Sequence, residues 1–348
     1  GWVKNEGNQP VNFTFEIDEA GNNEWKTLKS VTVNAGKATS VPFLSTERGE
    51  WIRVKTDKNT MATVSFNYTS PDIRSTSSDS IYKGLTTVDK TTTTGGLLYG
   101  LGDNRRALGL LANVTVDGKI SETGYYEMGD KLELIRKEDA KTADLIRSKF
   151  AIPQQVISIE ESSVLVVDDL GRRWRLPLGN ETYKKLTDQG VLRICREVAT
   201  ERDLFSCMGT FYELPAENAD GYAKIRPVST HNYRINDYAS YRGMLVLTGV
   251  TPEDGKENPH VVISDDGKAA VWVGVIDDLW TLGKPVGQGG PWKDTDVKTD
   301  VASDPYLIAF YDKKELSLSH RSDKNVVITV EVDPTGNGDW MEHALSLI

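Results

Sequence analysis

Short runs of β-branched and aromatic residues, separated by turn residues, recur along the whole 348-residue chain. Clear examples are VNFTFEI, KSVTVNA, ATVSFNYT, GMLVLTG, AAVWVGV and VVITVEV. Alternation of apolar and polar residues within such runs is typical of strands that bury one face. The segments between them are rich in Gly, Asp and Asn, as in DDGK and PTGNG, which favours tight turns. The pattern therefore predicts an all-β fold, and many short strands at regular spacing indicate a sandwich or a propeller.

Helix signals are confined to two segments. Residues 137–150 (KEDAKTADLIRSKF) combine helix formers with an apolar stripe, and residues 179–190 (GNETYKKLTDQG) begin near an Asn and end on a Gly. Both patterns are typical of short surface helices. The rest of the chain is predicted to be strand and turn.

An internal repeat organises the chain. Residues 11–25 (VNFTFEIDEAGNNEW) align without gaps to residues 326–340 (VVITVEVDPTGNGDW). In each copy a strand leads into an Asp-x-x-Gly-Asn turn, where Gly is free to take a positive φ, and a Trp begins the next strand. We therefore predict a β-sandwich-like module over residues 1–70 and a partial second copy over 321–348. Because the second copy stops eight residues after its Trp, we expect either a reduced copy or a piece of a longer protein.

The acidic residues of the two turns raise the question of a metal. Asp18 with Glu24, and Asp333 with Asp339, supply carboxylates of the kind that bind calcium. The DxDxDG spacing of a calcium loop is missing, so we expect hairpin tips in preference to calcium sites. The four histidines are scattered and the two cysteines lack zinc-ligand spacing, so we expect no other metal cofactor.

The sequence between the repeat copies, residues 71–320, predicts successive small β-meanders. Residues 167–174 (VDDLGRRW) resemble the Asp-box of sialidase-like propellers, with Asp169, Gly171 and Trp174 at matching positions and Val167 in place of the hydroxyl residue. Such a turn is structural. This rhythm predicts a β-propeller domain without fixing its blade number. If the blades are too few to close a ring, we expect another chain segment to complete it and cover the open edges.

A broader resemblance covers about residues 160–320. The block CMGTFYELPAENADGYAKIRPVSTHNYRINDYASYRGMLVLTGV (207–250) resembles secreted β-propeller proteins that Bacteroidetes-type bacteria encode among glycan-degrading enzymes. The segments DDLWTLGKPVGQGGPWKDTDV and SDPYLIAFYDKK share this resemblance. It implies a carbohydrate-active protein that is secreted, periplasmic or on the cell surface, and it leaves the linkage and the reaction open.

Composition excludes two classes of partner. The formal net charge is −10, and nucleic acid requires a basic face. No run of 18 apolar residues is present, so we expect no membrane-spanning helix. Neither nucleic acid nor a membrane-spanning segment is therefore expected, and the carbohydrate ligand is what the resemblance implies.

The block 207–243 concentrates the side chains that carbohydrate chemistry uses. Hydrolysis of a glycosidic bond needs a general acid and a second carboxylate that acts as base or nucleophile. Glu213 and Asp237 are the predicted pair, and His231 is the third catalytic candidate. A polysaccharide lyase would instead use His231 or Tyr233 as the base, with Arg234 neutralising a uronate. A non-catalytic glycan-binding protein is the alternative from another class, since propellers host many functions. A glycoside hydrolase is the first choice.

Sugar binding requires aromatic faces for C–H surfaces and polar forks for hydroxyl or acid groups. The candidate substrate-binding residues are Tyr212, Tyr233, Arg234, Tyr241, Arg242, Arg202 and Trp292. The hypothesis depends on one spatial expectation, which is that the side chains of residues 207–243 converge on a single solvent-open cavity.

Overall fold

The computed structural model describes residues 1–68, 71–102, 106–153, 157–183, 192–199 and 202–347. The chain forms two compact units. We call residues 1–71 with 315–348 the small unit, and residues 72–314 the large unit. Both copies of the repeat therefore belong to the small unit.

The described part of the small unit contains eight strands: β1 (Trp2–Asn5), β2 (Val11–Asp18), β3 (Trp25–Val33), β4 (Ala38–Ser40), β5 (Trp51–Thr56), β6 (Ala62–Ser65), β22 (Val327–Val332) and β23 (Met341–Leu347). They form the antiparallel sheets β4-β1-β6, β3-β2-β5 and β22-β23. Val3 of β1 and Phe13 and Phe15 of β2 are buried in one core. The two three-stranded sheets thus share a core, because the alternating apolar residues of both strands face inward.

The two copies of the repeat form the same hairpin. The pairing of β2 with β3 shifts register between Phe15 and Glu16. The pairing of β22 with β23 shifts between Val330 and Glu331, which are the equivalent residues. The sequence repeat is therefore a structural repeat that includes a β-bulge.

An aspartate organises the turn of each hairpin. The carboxylate of Asp18 accepts hydrogen bonds from the backbone N–H groups of residues 20–23. Asp333 accepts from residues 335–338 in the same way. The expectation of hairpin tips is confirmed, since these carboxylates are occupied by amide donors. Among the described residues, no group of three His, Cys, Asp or Glu side chains is arranged to hold a metal ion.

We expect Asp18→Ala to lower the free energy of unfolding of the small unit by about 2 kcal/mol, because four backbone amides of an exposed turn lose the buried, charged acceptor that holds the turn together. Urea unfolding of the full chain, followed by tryptophan fluorescence, measures this. Asp333→Ala should act in the same direction. Glu24→Ala changes an exposed residue of the same turn and serves as the control. Equal stability of the Asp18 and Glu24 variants would contradict the role of the aspartate.

The large unit contains the remaining elements. Its strands are β7 (Thr92–Gly100), β8 (Leu108–Val116), β9 (Lys119–Met128), β10 (Leu134–Lys137), β11 (Ser158–Ile159), β12 (Val164–Val167), β13 (Arg173–Leu176), β14 (Cys195–Ala199), β15 (Arg202–Cys207), β16 (Thr210–Pro215), β17 (Arg226–Thr230), β18 (Tyr238–Tyr241), β19 (Met244–Leu247), β20 (Val261–Ile263) and β21 (Ala270–Gly274). Among the described residues of this unit, the helices are α1 (Ala140–Lys149) and α2 (Pro252–Gly255), with 3₁₀ turns at Ser80–Tyr82, Glu217–Ala219, Gly221–Lys224 and Ile276–Thr281.

The strands of the large unit form the antiparallel sheets β10-β9-β8-β7, β11-β12-β13, β14-β15-β16-β17 and β18-β19-β21-β20. The prediction of an all-β protein is confirmed, because the chain consists of several small antiparallel sheets and few helices. Hydrogen bonds among the described residues define no closed barrel or ring of blades, and the propeller stays a prediction.

The two predicted helices have different outcomes. Helix α1 lies within the first segment and begins after Asp139, whose carboxylate accepts a hydrogen bond from the backbone N–H of Thr142 at 3.0 Å. This is the N-cap that a helix start requires. Residues 184–190 of the second segment lie outside the described residues. None of the helices in the described part of the chain has the length and hydrophobicity that a membrane crossing needs.

The turn with the Asp-box resemblance joins β12 to β13. Asp168 accepts hydrogen bonds from the backbone N–H groups of Leu170 and Arg172 and, at 2.8 Å, from the indole N–H of Trp174. Asp169 is exposed. The carboxylate that holds this turn is therefore that of Asp168, the residue before the motif position Asp169.

Candidate functional site

Segment 231–237 connects β17 to β18 and runs through the interior of the large unit. Its backbone is held by the 86–87 segment, because the N–H of Arg234 donates to the carbonyl of Thr86 at 2.7 Å and Thr87 forms a bridge with Tyr233. The side chains of His231, Tyr233, Arg234 and Asp237 are consequently buried. The expectation that these side chains together line one solvent-open cavity is therefore corrected: His231, Arg234 and Asp237 are packed in the interior, whereas Tyr233 also borders a cleft.

Asp237 is the centre of a buried ion-pair network. Arg193 forks onto its carboxylate at 2.9 and 3.1 Å, and a guanidinium nitrogen of Arg196 lies 3.3 Å from Oδ1. The backbone N–H groups of Leu98 and Tyr238 donate to the same carboxylate at 2.9 and 2.8 Å. The side chain of Asp237 has no exposed surface. Both of its oxygens are occupied by protein donors, so neither is available to a substrate in this structure.

His231 is a core histidine that is 6% exposed. Its Nδ1 accepts a hydrogen bond from the backbone N–H of Tyr233 at 3.1 Å and lies 3.0 Å from the hydroxyl of Tyr183. Its ring packs against Phe211, with centroids 5.0 Å apart. Burial lowers the pKa of His231 to about 3, because the imidazolium form would lose its hydration. The Nε2 atom is buried and has no hydrogen-bond partner among the described residues.

Glu213 lies at the surface of the β14-β15-β16-β17 sheet. Its carboxylate accepts a hydrogen bond from Nε of Arg226 at 2.7 Å and forms an ion pair with Arg202. The Arg226 guanidinium lies 5.9 Å from the ring centroid of the exposed Phe310. The predicted acid–base pair therefore consists of two carboxylates in separate settings, each of which is neutralised by two guanidinium groups.

Two of the predicted tyrosine platforms are packing residues. Tyr212 is buried, its ring contacts Phe205 edge-on, and its hydroxyl lies 3.3 Å from that of Tyr311. Tyr241 is also buried and donates its hydroxyl to the carbonyl of Arg106 at 2.7 Å. Neither ring offers a free face to a sugar, because both side chains are buried and pack in the core.

The predicted cationic and indole groups are dispersed. Arg234 donates from its guanidinium to the carbonyl of Lys90 at 3.1 Å. Arg242 occupies the β18–β19 turn with a positive φ of 51°, and its guanidinium lies over the ring of Tyr241 at 5.6 Å. Trp292 is exposed in an irregular segment that follows β21. The contacts among the described residues do not gather these three side chains around one ligand position.

Tyr233 lines a cleft of about 500 Å³. The other lining residues are Tyr82, Lys83, Gly84, Leu85, Thr87, Glu253 and Asp254. A second cleft of about 390 Å³ is lined by residues 89–94 and 250–252. An ion pair between Lys90 and Asp254 joins the walls of the two clefts. We call the first one the Tyr233 cleft.

The residues that pair with Asp237 and the charged residues that line the Tyr233 cleft were not selected from the sequence. Arg193 and Arg196, which hold Asp237, were not selected, although two arginines beside a run of apolar residues (VLRICREV) indicate buried acidic partners. The lining residue Lys83 lies in a connection and Glu253 lies in the short helix α2, and neither segment carries a motif. Only the spatial approach of distant segments brings them together.

Comparison with known proteins adds no relative. No protein-family model matches the chain, and no curated protein or solved structure matches it significantly. The fold and the site define the chain as an all-β protein of small antiparallel sheets in which a polar cleft adjoins a densely paired core.

Proposed function

We propose that this protein is a non-catalytic glycan-binding protein that acts outside the cytoplasm, in secreted or cell-surface form. The observation that carries the proposal is the state of the two best catalytic candidates. Asp237 is saturated by donors in the core, and Glu213 is held by Arg202 and Arg226. A glycosidase must bring a general acid and a second carboxylate to the scissile bond, and these two side chains are committed to other partners.

The Tyr233 cleft supports a sugar as the ligand. Its volume lies within the range of about 300–1,000 Å³ that is typical of small-molecule sites. It combines the hydroxyl of Thr87 and the charged groups of the exposed Lys83 and Glu253, next to the largely buried rings of Tyr82 and Tyr233. Such groups suit hydroxyl-rich ligands, because each charged or hydroxyl side chain can form strong hydrogen bonds to them. The resemblance of residues 207–250 to glycan-processing proteins points to the same ligand class.

The hydrolase and lyase hypotheses use the same residues and are less well supported. A lyase base must reach the proton next to the uronate, whereas the imidazole of His231 is covered by Phe211 and its Nδ1 is already hydrogen-bonded. Arg234 is buried and donates to a backbone carbonyl. The arrangement favours binding over turnover.

We also propose that the sheets of the large unit are propeller blades. The order β14-β15-β16-β17 and the order β10-β9-β8-β7 are four-stranded antiparallel meanders, as blades are. A further chain segment would complete the ring if these sheets are too few. An experimental structure with sheets arranged radially around a channel would support this architecture, and two face-to-face layers would contradict it.

A double variant tests the Tyr233 cleft. Lys83→Ala with Glu253→Gln removes two exposed lining charges and is expected to weaken glycan binding at least about ten-fold, because charged hydrogen bonds to the ligand are lost. Calorimetric titration with oligosaccharides of glucose, xylose, mannose and galacturonic acid measures this. Lys119→Ala with Glu138→Gln is the matched control, since both residues are exposed in the β9–β10 region.

The same samples distinguish binding from catalysis. We expect no release of reducing ends over time and no ultraviolet absorbance of unsaturated uronates. Release of reducing ends that Glu213→Gln abolishes would favour the hydrolase, and uronate absorbance that His231→Ala abolishes would favour the lyase. Equal glycan affinities of the double variant and its control would contradict the Tyr233 cleft as the binding site.

A further inference from the structure

The outward face of the β3-β2-β5 sheet in the small unit carries a second set of unassigned groups. On the inward face, Phe13, Phe15 and Ile17 of β2 are buried. Cross-strand pairing places the following residues together on the opposite face: Trp51, Arg53 and Lys55 from β5; Asn12, Thr14, Glu16 and Asp18 from β2; Trp25, Thr27, Ser30 and Thr32 from β3. We call this surface the Trp25–Trp51 face.

Two tryptophans lie in a row across this face. Trp25 and Trp51 are both paired with Asp18, one from each neighbouring strand. Because adjacent strands are about 4.8 Å apart, their Cα atoms are separated by roughly 10 Å. Trp51 is 66% exposed, and the ring of the half-buried Trp25 is covered by the Arg53 guanidinium at 4.1 Å. One face of the sheet therefore carries two large ring systems within reach of one extended ligand.

The charges of this face cancel. Glu16 accepts from Nε of Arg53 at 2.7 Å and pairs with Nζ of Lys55 at 2.5 Å. Asp18 is occupied by the amides of its turn. Two cations are thus balanced by two carboxylates. An anionic ligand would have to compete with the acidic partners of Arg53 and Lys55, so the balance favours a neutral ligand.

Hydroxyl and amide groups complete the face. The hydroxyls of Thr14 and Ser30 are 3.2 Å apart, and the hydroxyl of Thr32 lies 3.4 Å from the amide oxygen of Asn12. All four groups are exposed to solvent in part. Ring faces beside hydroxyl and amide groups match the chemistry of a sugar chain, which presents C–H faces and hydroxyl edges.

The second repeat copy is a natural reference for this face. Trp340 and Asp333 stand where Trp25 and Asp18 stand in the first copy, and Trp340 is also exposed. Among the described residues β22 pairs with β23 alone, so this copy has no equivalent of the strand that carries Trp51 and Arg53. It keeps one tryptophan and lacks the paired arrangement.

We infer that the Trp25–Trp51 face binds a neutral polysaccharide chain, with Trp51 as the principal stacking surface and the Trp25–Arg53 pair as a second contact. The inference rests on the proposed function for its class of ligand, and its site is in the small unit, whereas the Tyr233 cleft is in the large unit. Exposed aromatic surface of this kind marks interaction sites on soluble proteins.

Native gel electrophoresis of the full chain tests this inference. Mixed-linkage β-glucan and galactomannan serve as neutral probes, and polygalacturonate serves as the anionic probe. We expect at least one neutral probe to retard the protein, and Trp51→Ala to weaken that binding about ten-fold, because the covered apolar area is lost. Trp340→Ala is the matched control and should leave retardation unchanged. Trp51→Phe should retain part of it.

Three results would overturn the inference: no retardation by either neutral probe, equal effects of Trp51→Ala and Trp340→Ala, or stronger retardation by polygalacturonate. The cleft variant Lys83→Ala with Glu253→Gln is run in the same gels. If only the cleft variant loses binding, the result supports the Tyr233 cleft and contradicts the Trp25–Trp51 face. If only Trp51→Ala loses binding, the result supports the Trp25–Trp51 face and contradicts the Tyr233 cleft as the binding site. Unchanged thermal unfolding of the Trp51 variants confirms that they fold, since this side chain is exposed.

Discussion

Asp237→Asn is expected to lower the free energy of unfolding of the large unit by about 3–5 kcal/mol. The substitution leaves Arg193, which is itself buried, and the half-buried Arg196 without their anionic partner. An unpaired buried cation is costly because it has lost its hydration and gains no compensating charge. Equilibrium unfolding in guanidinium chloride, followed by circular dichroism and fluorescence, measures the change.

The matched control for this prediction is Asp144→Asn. Asp144 forms an ion pair with Arg147 on helix α1, and its side chain is 73% exposed. Surface pairs of this kind contribute at most about 1 kcal/mol. An unfolding midpoint of the Asp237 variant that equals the control would contradict the buried network and would reopen a catalytic role for this carboxylate.

The second large effect is a loss of stability in acid that originates at His231. Its pKa in the folded protein is lowered to about 3, compared with an ordinary value of 6.5. Between these two values the unfolded chain binds a proton that the folded protein does not bind, so stability falls as the pH drops through this window. The expected slope approaches about 1.4 kcal/mol per pH unit, and above pH 6.5 the effect vanishes.

Unfolding experiments between about pH 5 and 6.5 isolate this effect, because most carboxylates titrate at lower pH. His231→Gln should flatten the dependence of unfolding free energy on pH, whatever its effect on absolute stability. His343→Gln changes an exposed histidine and serves as the control. Proton NMR gives a second readout, since the His231 ring signal should not shift across this range. Equal slopes in both variants would contradict the assignment.

Local patterns in the sequence were sufficient for several features. The alternation in residues 11–17 places Phe13 and Phe15 in the core, as the period of a strand requires. The turn aspartate Asp18 binds amides that lie two to five residues further along the chain. Helix α1 is capped by an aspartate three residues before its amide partner. Each of these interactions is complete within a few residues, so residue order alone can specify it.

The candidate site could be predicted only in part. The sequence shows that charged and aromatic residues are concentrated in 207–243. In the structure, the rings of His231 and Tyr233 lie next to each other, with centroids 6.2 Å apart. The sequence could not indicate whether these groups face solvent or the core. A buried polar group is stable only if distant residues satisfy it. Asp237 meets this condition through Arg193, which is 44 positions away in the chain.

What the sequence determined by itself is the all-β class, the repeated hairpin with its aspartate turn and the position of the first helix, because short-range hydrogen bonds and strand periodicity decide them. Tertiary structure decided the environment of every candidate catalytic side chain and the assembly of the Tyr233 cleft from segments near positions 85, 233 and 253. The physical reason is that the free energy of a charged or aromatic side chain depends on its burial and its partners, and long-range packing sets both.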